Sequence, residues 1–113
     1  MITVYGLKNC DSCRKARRWL DARGTAHRFV DVRETTPDSA TLARWLEAVG
    51  ADALVNRRST TWRSLDDATR EASQREPTTR LVGHPTLIKR PVLETATDVT
   101  VGFNEDRWVA LID

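Results

Sequence analysis

Two cysteines, Cys10 and Cys13, constrain the fold of this chain more than any other feature, because they lie where a strand pattern gives way to a helix pattern. Residues 2–5 alternate between apolar and polar side chains, which predicts a strand. Residues 12–23 then show the period of a helix, and Gly24 follows where a helix commonly ends. The Cys-x-x-Cys pair is therefore predicted at the start of the first helix, directly after the first strand.

A cysteine in this position is chemically favoured as a thiolate. The first turn of a helix has backbone N–H groups without partners and the positive end of the helix dipole, and the thiolate is the form that attacks disulfides. Cys10 lies at the helix start, where Lys8, Arg14 and Lys15 add positive potential, so we predict that it is the nucleophile. Cys13 is predicted to be the more buried, resolving thiol, which attacks a mixed disulfide at Cys10 and releases the reduced product. The backbone N–H groups of Ser12 and Cys13 are expected to face the developing negative charge.

Three other interpretations of the pair stay open. A structural zinc site needs four ligands, and beyond the pair the chain offers only His27 and His84, far apart in sequence, so no metal is predicted. A structural disulfide would be unusual in a chain that shows no secretory signal. Two unrelated buried thiols would need no redox role. The strand-to-helix context favours the redox interpretation.

The charge balance limits the classes of partner. A net charge of +2 is too small to predict binding to nucleic acid or to a membrane surface, whereas a small anionic or thiol substrate would suit it. No apolar run reaches the length of a membrane span. We expect a monomer in the cytoplasm, where a Cys-x-x-Cys pair is kept reduced.

The remaining elements follow from periodicity and from helix and strand signals. Residues 27–32 predict a second strand, parallel to the first. Thr36 and Pro37 predict the start of a helix that ends before Gly50, and Asn104 predicts the cap of the last helix. The other predicted elements are helices at 64–76 and 78–82, a third strand that begins near Pro85 and continues after an interruption to 93, and a strand at 99–101. This order predicts a single α/β domain over residues 1–113 with a mixed β-sheet.

Four stretches resemble one known family over nearly the whole length: 5–20 around the cysteines, 56–63 (Asn-Arg-Arg-Ser-Thr-Thr-Trp-Arg), 84–91 (His-Pro-Thr-Leu-Ile-Lys-Arg-Pro) and 101–106 (Val-Gly-Phe-Asn-Glu-Asp). They are similar to the arsenate reductase-related (ArsC/Spx) family of the thioredoxin superfamily. Within it, the chain most resembles the YffB-like proteins, which are regarded as glutathione-dependent thiol reductases. The resemblance implies a thioredoxin-like fold with a helical insertion, at about 37–83, between the second and third strands.

The resemblance also implies roles for individual residues. It identifies Cys10 as the nucleophile, Pro85 as the cis-proline that faces it, and Arg90 and Arg58 as anion-binding side chains that suit arsenate oxygens or glutathione carboxylates. Arsenate reductases of the family carry a third arginine in the loop before the last helix. Here that loop reads Gly-Phe-Asn at 102–104, so the resemblance does not extend to an arginine triad.

The predicted function is that of a cytoplasmic thiol–disulfide oxidoreductase. It uses Cys10 and Cys13 as nucleophile and resolving thiol, takes glutathione as co-substrate, and holds no bound cofactor. The alternative is an Spx-like redox-sensing transcriptional regulator that contacts the α-subunit of RNA polymerase, in which a Cys10–Cys13 disulfide is a switch. A third interpretation gives both cysteines a place in the core and no redox role.

Overall fold

The computed structural model describes residues 2–112, the side chain of Ser73 excepted, and its strands form one mixed sheet. The strand order is β2-β1-β3-β4, with β1 parallel to β2 and the other neighbours antiparallel. The strands are β1 (Ile2–Gly6), β2 (His27–Asp31), β3 (Val92–Glu94) and β4 (Val99–Val101). The predicted α/β class, with a mixed sheet and a thioredoxin-like order of elements, is confirmed.

Helices join the strands and flank the sheet. Helix α1 (Asp11–Ala22) connects the parallel strands, and α7 (Glu105–Ile112) follows β4. Between β2 and β3 lie α2 (Ser39–Val49), α3 (Ala51–Leu54), α4 (Thr60–Arg63), α5 (Asp67–Arg75), α6 (Pro77–Gly83) and a 3-10 turn over Pro85–Leu87. The extra helical segment therefore lies between the second and third strands, as the resemblance implies. Within residues 2–112, no helix is both long and apolar enough to cross a membrane.

Two hydrophobic clusters hold the elements together. Alternation along a strand sends successive side chains to opposite faces of the sheet. One cluster joins the inserted helices to the sheet and contains Leu42, Trp45, Leu54, Val55, Leu81, Leu87, Ile88 and Val92. The other joins α1 and α7 to the sheet and contains Val4, Ala16, Leu20, Leu93 and Trp108. The apolar residues that recur at helical spacing along α1 thus form the face of the helix that packs against the sheet.

The predicted helix caps have different outcomes. The Asn104 cap is confirmed, because its Oδ1 accepts a hydrogen bond from the Arg107 N–H at 2.9 Å. The predicted start at Thr36 and Pro37 is wrong. Helix α2 begins after Asp38, whose Oδ1 accepts from the Thr41 N–H at 2.8 Å. The carboxylate of Asp38 reaches a backbone donor of the first turn, as an N-cap must.

The prediction that Pro85 opens the third strand as a cis-proline is also wrong. Pro85 begins the 3-10 turn, and the cis peptide bond is Arg90–Pro91, directly before β3. Leu87 and Ile88 are buried in the first cluster instead of extending the sheet, apart from an isolated bridge between Ile88 and Val55. A short apolar run bounded by prolines has the same pattern whether it enters a sheet or packs under a helix.

Candidate active site

Cys10 is the N-cap residue of α1, as predicted. Its backbone is extended, its N–H donates to the Leu7 carbonyl oxygen at 3.2 Å, and its own carbonyl oxygen accepts from the Arg14 N–H at 2.9 Å. The residue is half-buried and its thiol is free. The nucleophile predicted from sequence therefore lies at the tip of a twelve-residue helix, where backbone donors face it.

Cys13 is completely buried one turn further along the helix and is also a free thiol. The end of β1 covers it so closely that a Cβ added to Gly6 would overlap the Cys13 Sγ. Only a residue without a side chain fits between the strand and the thiol. The predicted burial of Cys13 is confirmed, and Gly6 is a residue on which it depends.

The pKa values of the two thiols shift in opposite directions. Burial raises the pKa of Cys10, but hydrogen bonds from the Cys13 N–H and thiol and from Arg90 outweigh it, so that the net shift is downward. Burial is also the main reason that the pKa of Cys13 rises to about 12, and the neighbouring Cys10 raises it further. The pair therefore loses its first proton from Cys10, and Cys13 stays protonated at neutral pH.

The cation that acts on Cys10 is Arg90 and not the neighbours expected from sequence. Lys8 pairs with Glu34 at 2.7 Å, and Arg14 donates to the Asn9 carbonyl oxygen at 3.0 Å. Arg90 donates from Nη1 to the Thr86 carbonyl oxygen at 2.9 Å, and its Nε is buried without a hydrogen-bond partner among the described residues. Lys8 and Arg14 thus bond to other groups, whereas an arginine distant in sequence lowers the pKa of the thiol.

A cavity of about 300 Å³ adjoins the site, and we call it the arginine cavity. Its lining combines three guanidinium groups with hydroxyl groups: Leu7, Arg33, Arg58, Ser59, Thr60, Thr61, Thr86 and Arg90. Both arginines predicted from sequence, Arg58 and Arg90, line it. Arg57 instead pairs with Asp52 at 3.0 Å and lies over the Trp62 ring. No acidic side chain is among the cavity's lining residues within the described chain.

The other two predicted site residues lie apart from this cavity. Ser12 is exposed on the first turn of α1, and the hydrogen bond to the Cys10 sulfur comes from the backbone of Cys13. A role for the Ser12 N–H stays a prediction. Pro85 precedes the lining residue Thr86 and is not itself among the residues that line the cavity in the part of the chain described. The cis-proline is instead Pro91, which follows Arg90.

Comparison with known proteins decides the family. The sequence profile of the ArsC family matches residues 5–111, which is nearly the whole chain. The chain belongs to the ArsC family. An uncharacterized protein of Haemophilus influenzae is 40% identical over 111 residues, with 97% of each chain covered. The global transcriptional regulator Spx 2 of Bacillus cereus is 29% identical over 109 residues, which covers 94% of this chain and 82% of that protein.

Solved structures of ArsC relatives share the fold. A protein named YFFB superposes with a TM-score of 0.94 at 35% identity, over 100% of both chains. An arsenate reductase (ArsC) related protein from Brucella melitensis superposes with a TM-score of 0.75 at 37% identity, over 96% of this chain and 92% of that one. The helical segment between the second and third strands is therefore part of a fold that this ArsC-family chain shares with its relatives.

Sequence reasoning missed Arg33, the third guanidinium of this ArsC-family cavity. Arg33 lies two positions after the end of β2, and β1 and β2 are parallel with Gly6 opposite Asp31. Because the carboxyl ends of parallel strands lie at one edge of a sheet, the residues after Gly6 and after Asp31 meet there. Arg33 could have been predicted from the parallel pairing of β1 and β2, which brings the residues after β2 to the loop that carries the cysteines. No motif around the cysteines indicates it.

Proposed function

We propose that this ArsC-family protein is a cytoplasmic thiol–disulfide oxidoreductase that takes glutathione as co-substrate and holds no bound cofactor. The observation that carries the proposal is the lowered pKa of Cys10 at a helix start, beside Arg90 and a cavity lined by guanidinium groups. The name of the Brucella melitensis relative, an arsenate reductase related protein, supports reductase chemistry. A thiolate with nearby cations is the arrangement that reactive cysteines need.

The first step forms a mixed disulfide. The Cys10 thiolate attacks one sulfur of a substrate disulfide, a bond forms between Cys10 Sγ and that sulfur, and the other sulfur leaves as a thiolate that takes a proton from water. Arg90 and Arg58 hold the anionic part of the substrate. The Cys10 sulfur is oxidised to the disulfide level as the departing sulfur is reduced.

The second step resolves the mixed disulfide by one of two thiols. Cys13 loses its proton and attacks Cys10 Sγ, which closes a Cys10–Cys13 disulfide and releases the second substrate thiol; two glutathione molecules then reduce the pair and leave as glutathione disulfide. Alternatively, glutathione attacks the mixed disulfide directly. The high pKa of Cys13 slows the first route at neutral pH, although the loss of the Cys10 charge in the mixed disulfide removes one cause of that shift.

Mass spectrometry after exposure to glutathione disulfide tests this function. We expect a glutathione adduct on Cys10, no adduct in Cys10→Ser, and an adduct that accumulates in Cys13→Ser if Cys13 is the resolving thiol. Turnover of a glutathione mixed disulfide with dithiothreitol as reductant provides the rate. Absence of both the adduct and the turnover in the wild-type protein would refute the proposal.

A redox-sensing regulator is the second candidate function, and the similarity to Spx 2 of Bacillus cereus over 94% of the chain favours it. In that function, the Cys10–Cys13 disulfide changes the affinity for the α-subunit of RNA polymerase. Binding of the reduced and the oxidised protein to the isolated C-terminal domain of that subunit tests it. No binding in either redox state would remove this candidate.

A further inference from the structure

Arg33 and Arg58 face the arginine cavity with no bonding partner of their own. Among the described residues, neither side chain forms a hydrogen bond or an ion pair, whereas Arg90 donates to Thr86 and acts on Cys10. We propose that Arg33 is a specificity-determining residue that binds a carboxylate of a thiol substrate carrying two carboxylates, with Arg58 binding the other. This inference rests on the proposed function and adds the residue that selects the substrate.

The backbone holds Arg33 against the loop that carries the nucleophile. The Asp31 carboxylate accepts from the Arg33 N–H at 2.8 Å and from the Lys8 N–H at 3.0 Å. The Val32 N–H also donates to the Gly6 carbonyl oxygen at 2.9 Å. One carboxylate thus joins the turn after β2 to the loop before Cys10, which fixes the backbone of Arg33 relative to that loop. Preorganisation of this kind lowers the cost of ligand binding.

The charge of the cavity favours an anionic ligand. Three guanidinium groups line it, and no carboxylate does among the described residues. Glu34, the nearest acidic residue in sequence to Arg33, is engaged by Lys8 at 2.7 Å. The mutual repulsion of the arginines is relieved when a ligand of opposite charge enters, and a planar guanidinium can form two parallel hydrogen bonds to one carboxylate.

The size of the cavity favours a peptide-like anion over an inorganic one. A volume of about 300 Å³ lies at the lower end of the range for small-molecule sites, and a single tetrahedral oxyanion fills only part of such a space. Four hydroxyl side chains also line the cavity: Ser59, Thr60, Thr61 and Thr86. Ser59 bonds to the backbone, and Thr61 and Thr86 bond to each other at 2.7 Å, so Thr60 is the hydroxyl group that, among the described residues, is left for an amide group of the ligand. With Arg90 near the sulfur, Arg33 and Arg58 are left for the two carboxylates of a molecule such as glutathione.

Kinetics with a charged and an uncharged disulfide test the inference. The charged substrate is the mixed disulfide of glutathione and mercaptoethanol, the uncharged one is mercaptoethanol disulfide, and dithiothreitol is the reductant for both. We expect Arg33→Gln to raise KM for the charged substrate by about tenfold, the loss of one charge-assisted hydrogen-bonded contact, with kcat nearly unchanged. KM for the uncharged substrate and the alkylation rate of Cys10 should not move.

Two further variants separate specificity from general effects. Arg33→Lys keeps the charge without the fork, so its KM should lie between those of the wild type and Arg33→Gln. Arg28→Gln is the matched control, because Arg28 is an exposed arginine of β2 that is not among the residues lining the cavity in the described chain. An equal change for both substrates, or no change for the charged one, would overturn the inference.

A binding measurement keeps the inference apart from the proposed function. Calorimetry with S-methylglutathione, which has no free thiol, reports the carboxylate contacts without any redox step. If the wild-type protein binds it about tenfold more tightly than Arg33→Gln but turns over neither disulfide, the inference stands and the proposed function falls. If the wild-type protein does not bind it, or if inorganic phosphate and arsenate bind more tightly and compete with it, the inference falls.

Discussion

The two ends of the sheet each have a cavity, and the larger one is not the candidate site. The arginine cavity, of about 300 Å³, lies at the end where β1 and β2 finish. A cavity of about 550 Å³, which we call the Glu94 cavity, lies at the other end and is lined by Arg44, Glu47, Ala48, Glu94, Thr95, Ala96, Thr97, Asp98 and Val99. In the sheet, Glu94 lies opposite Thr3, at the beginning of β1.

Charge compensation distinguishes the two cavities. Glu94 accepts hydrogen bonds from Arg44 Nη2 at 2.8 Å and from Trp45 Nε1 at 2.9 Å, and Tyr5 lies edge-on to Trp45 with a centroid distance of 4.7 Å. These contacts join α2 to the sheet. The arginine cavity has a nucleophile nearby and guanidinium groups that no carboxylate of its lining neutralises among the described residues. Unpaired charge beside a reactive group therefore marks the site better than volume does.

Removal of the nucleophile should have the largest effect. In Cys10→Ser we expect turnover of a glutathione mixed disulfide to fall on the order of a thousandfold, because the covalent route is lost. Glu47→Gln, in the Glu94 cavity, is the control and should keep wild-type turnover. The readout is the steady-state rate with dithiothreitol as reductant. Wild-type turnover in Cys10→Ser would mean that the active site does not lie at the end of the sheet that carries Cys10 and the arginine cavity.

Alkaline pH should reduce the stability of the fold through two groups, Cys13 and Tyr5. The loss should begin at a different pH for each group. Cys13 has a raised pKa of about 12, and burial, then the charge of Glu94, raises the pKa of Tyr5. The folded state thus holds each proton longer than the unfolded chain does. The resulting stability is complete below the unfolded pKa and is lost as pH rises through the folded pKa, at up to about 1.4 kcal/mol per pH unit for each group.

Urea denaturation under reducing conditions between pH 8 and 11 separates the two contributions. We expect Cys13→Ala to remove the loss of unfolding free energy that begins near the pKa of an unfolded thiol, about 8.5. We expect Tyr5→Phe to remove the loss that begins near the pKa of an unfolded tyrosine, about 10. Both variants cost stability at neutral pH, so the measured quantity is the slope of unfolding free energy against pH. Unchanged slopes in Cys13→Ala would contradict the assignment to the buried thiol.

Glu94→Gln should reduce stability without changing the chemistry. The variant keeps an oxygen acceptor for Trp45 but removes the charge that engages Arg44, and we expect the free energy of unfolding to fall by about 1–2 kcal/mol. The KM for a glutathione mixed disulfide should stay within twofold of the wild type, because Glu94 lies at the opposite end of the sheet from Arg90. A large change in KM with little loss of stability would make the Glu94 cavity part of the site.

The smallest effect should be on the acidity of Cys10. Burial opposes the thiolate, and Arg90 is one of the groups that outweigh it, so Arg90→Gln should move the midpoint of the alkylation pH profile upward. Arg58→Gln is the matched control, because Arg58 lines the same cavity but is not among the groups that set this pKa. Iodoacetamide labelling with mass spectrometry assigns the modified cysteine. An equal shift in both variants would contradict a specific effect of Arg90, because it would mean that every positive charge in the cavity lowers the pKa of Cys10 alike.

Local signals predicted the elements that lie close in sequence. The alternation of β1, the helical period of α1 and the Asn104 cap depend on neighbouring residues only, and each appears in the structure. The sequence predicts a third strand that begins too early, because Leu87 and Ile88 are as apolar as strand residues. Their burial under the inserted helices depends on a long-range contact that no local period reports.

Neighbouring residues also misled the electrostatic prediction. Lys8 and Arg14 are close to Cys10 in sequence, yet Lys8 is engaged by Glu34 and Arg14 by Asn9 and Asp11. Arg90, eighty positions away, acts on the thiol instead. The partner of a charged side chain depends on which elements the fold brings together, and sequence separation does not measure that distance.

The position of the Cys-x-x-Cys pair, where a strand meets a helix, can be predicted from sequence, because strand alternation, helical period and helix ends are properties of a few consecutive residues. The cations that meet the thiol and line the cavity depend instead on tertiary packing. The pairing of β1 with β2 brings Arg33 to the arginine cavity, and the inserted helices bring Arg58 there. Arg90 reaches the cavity from the segment that leads into β3. These three positions converge because the sheet and its packing close long loops, which is a property of the whole chain.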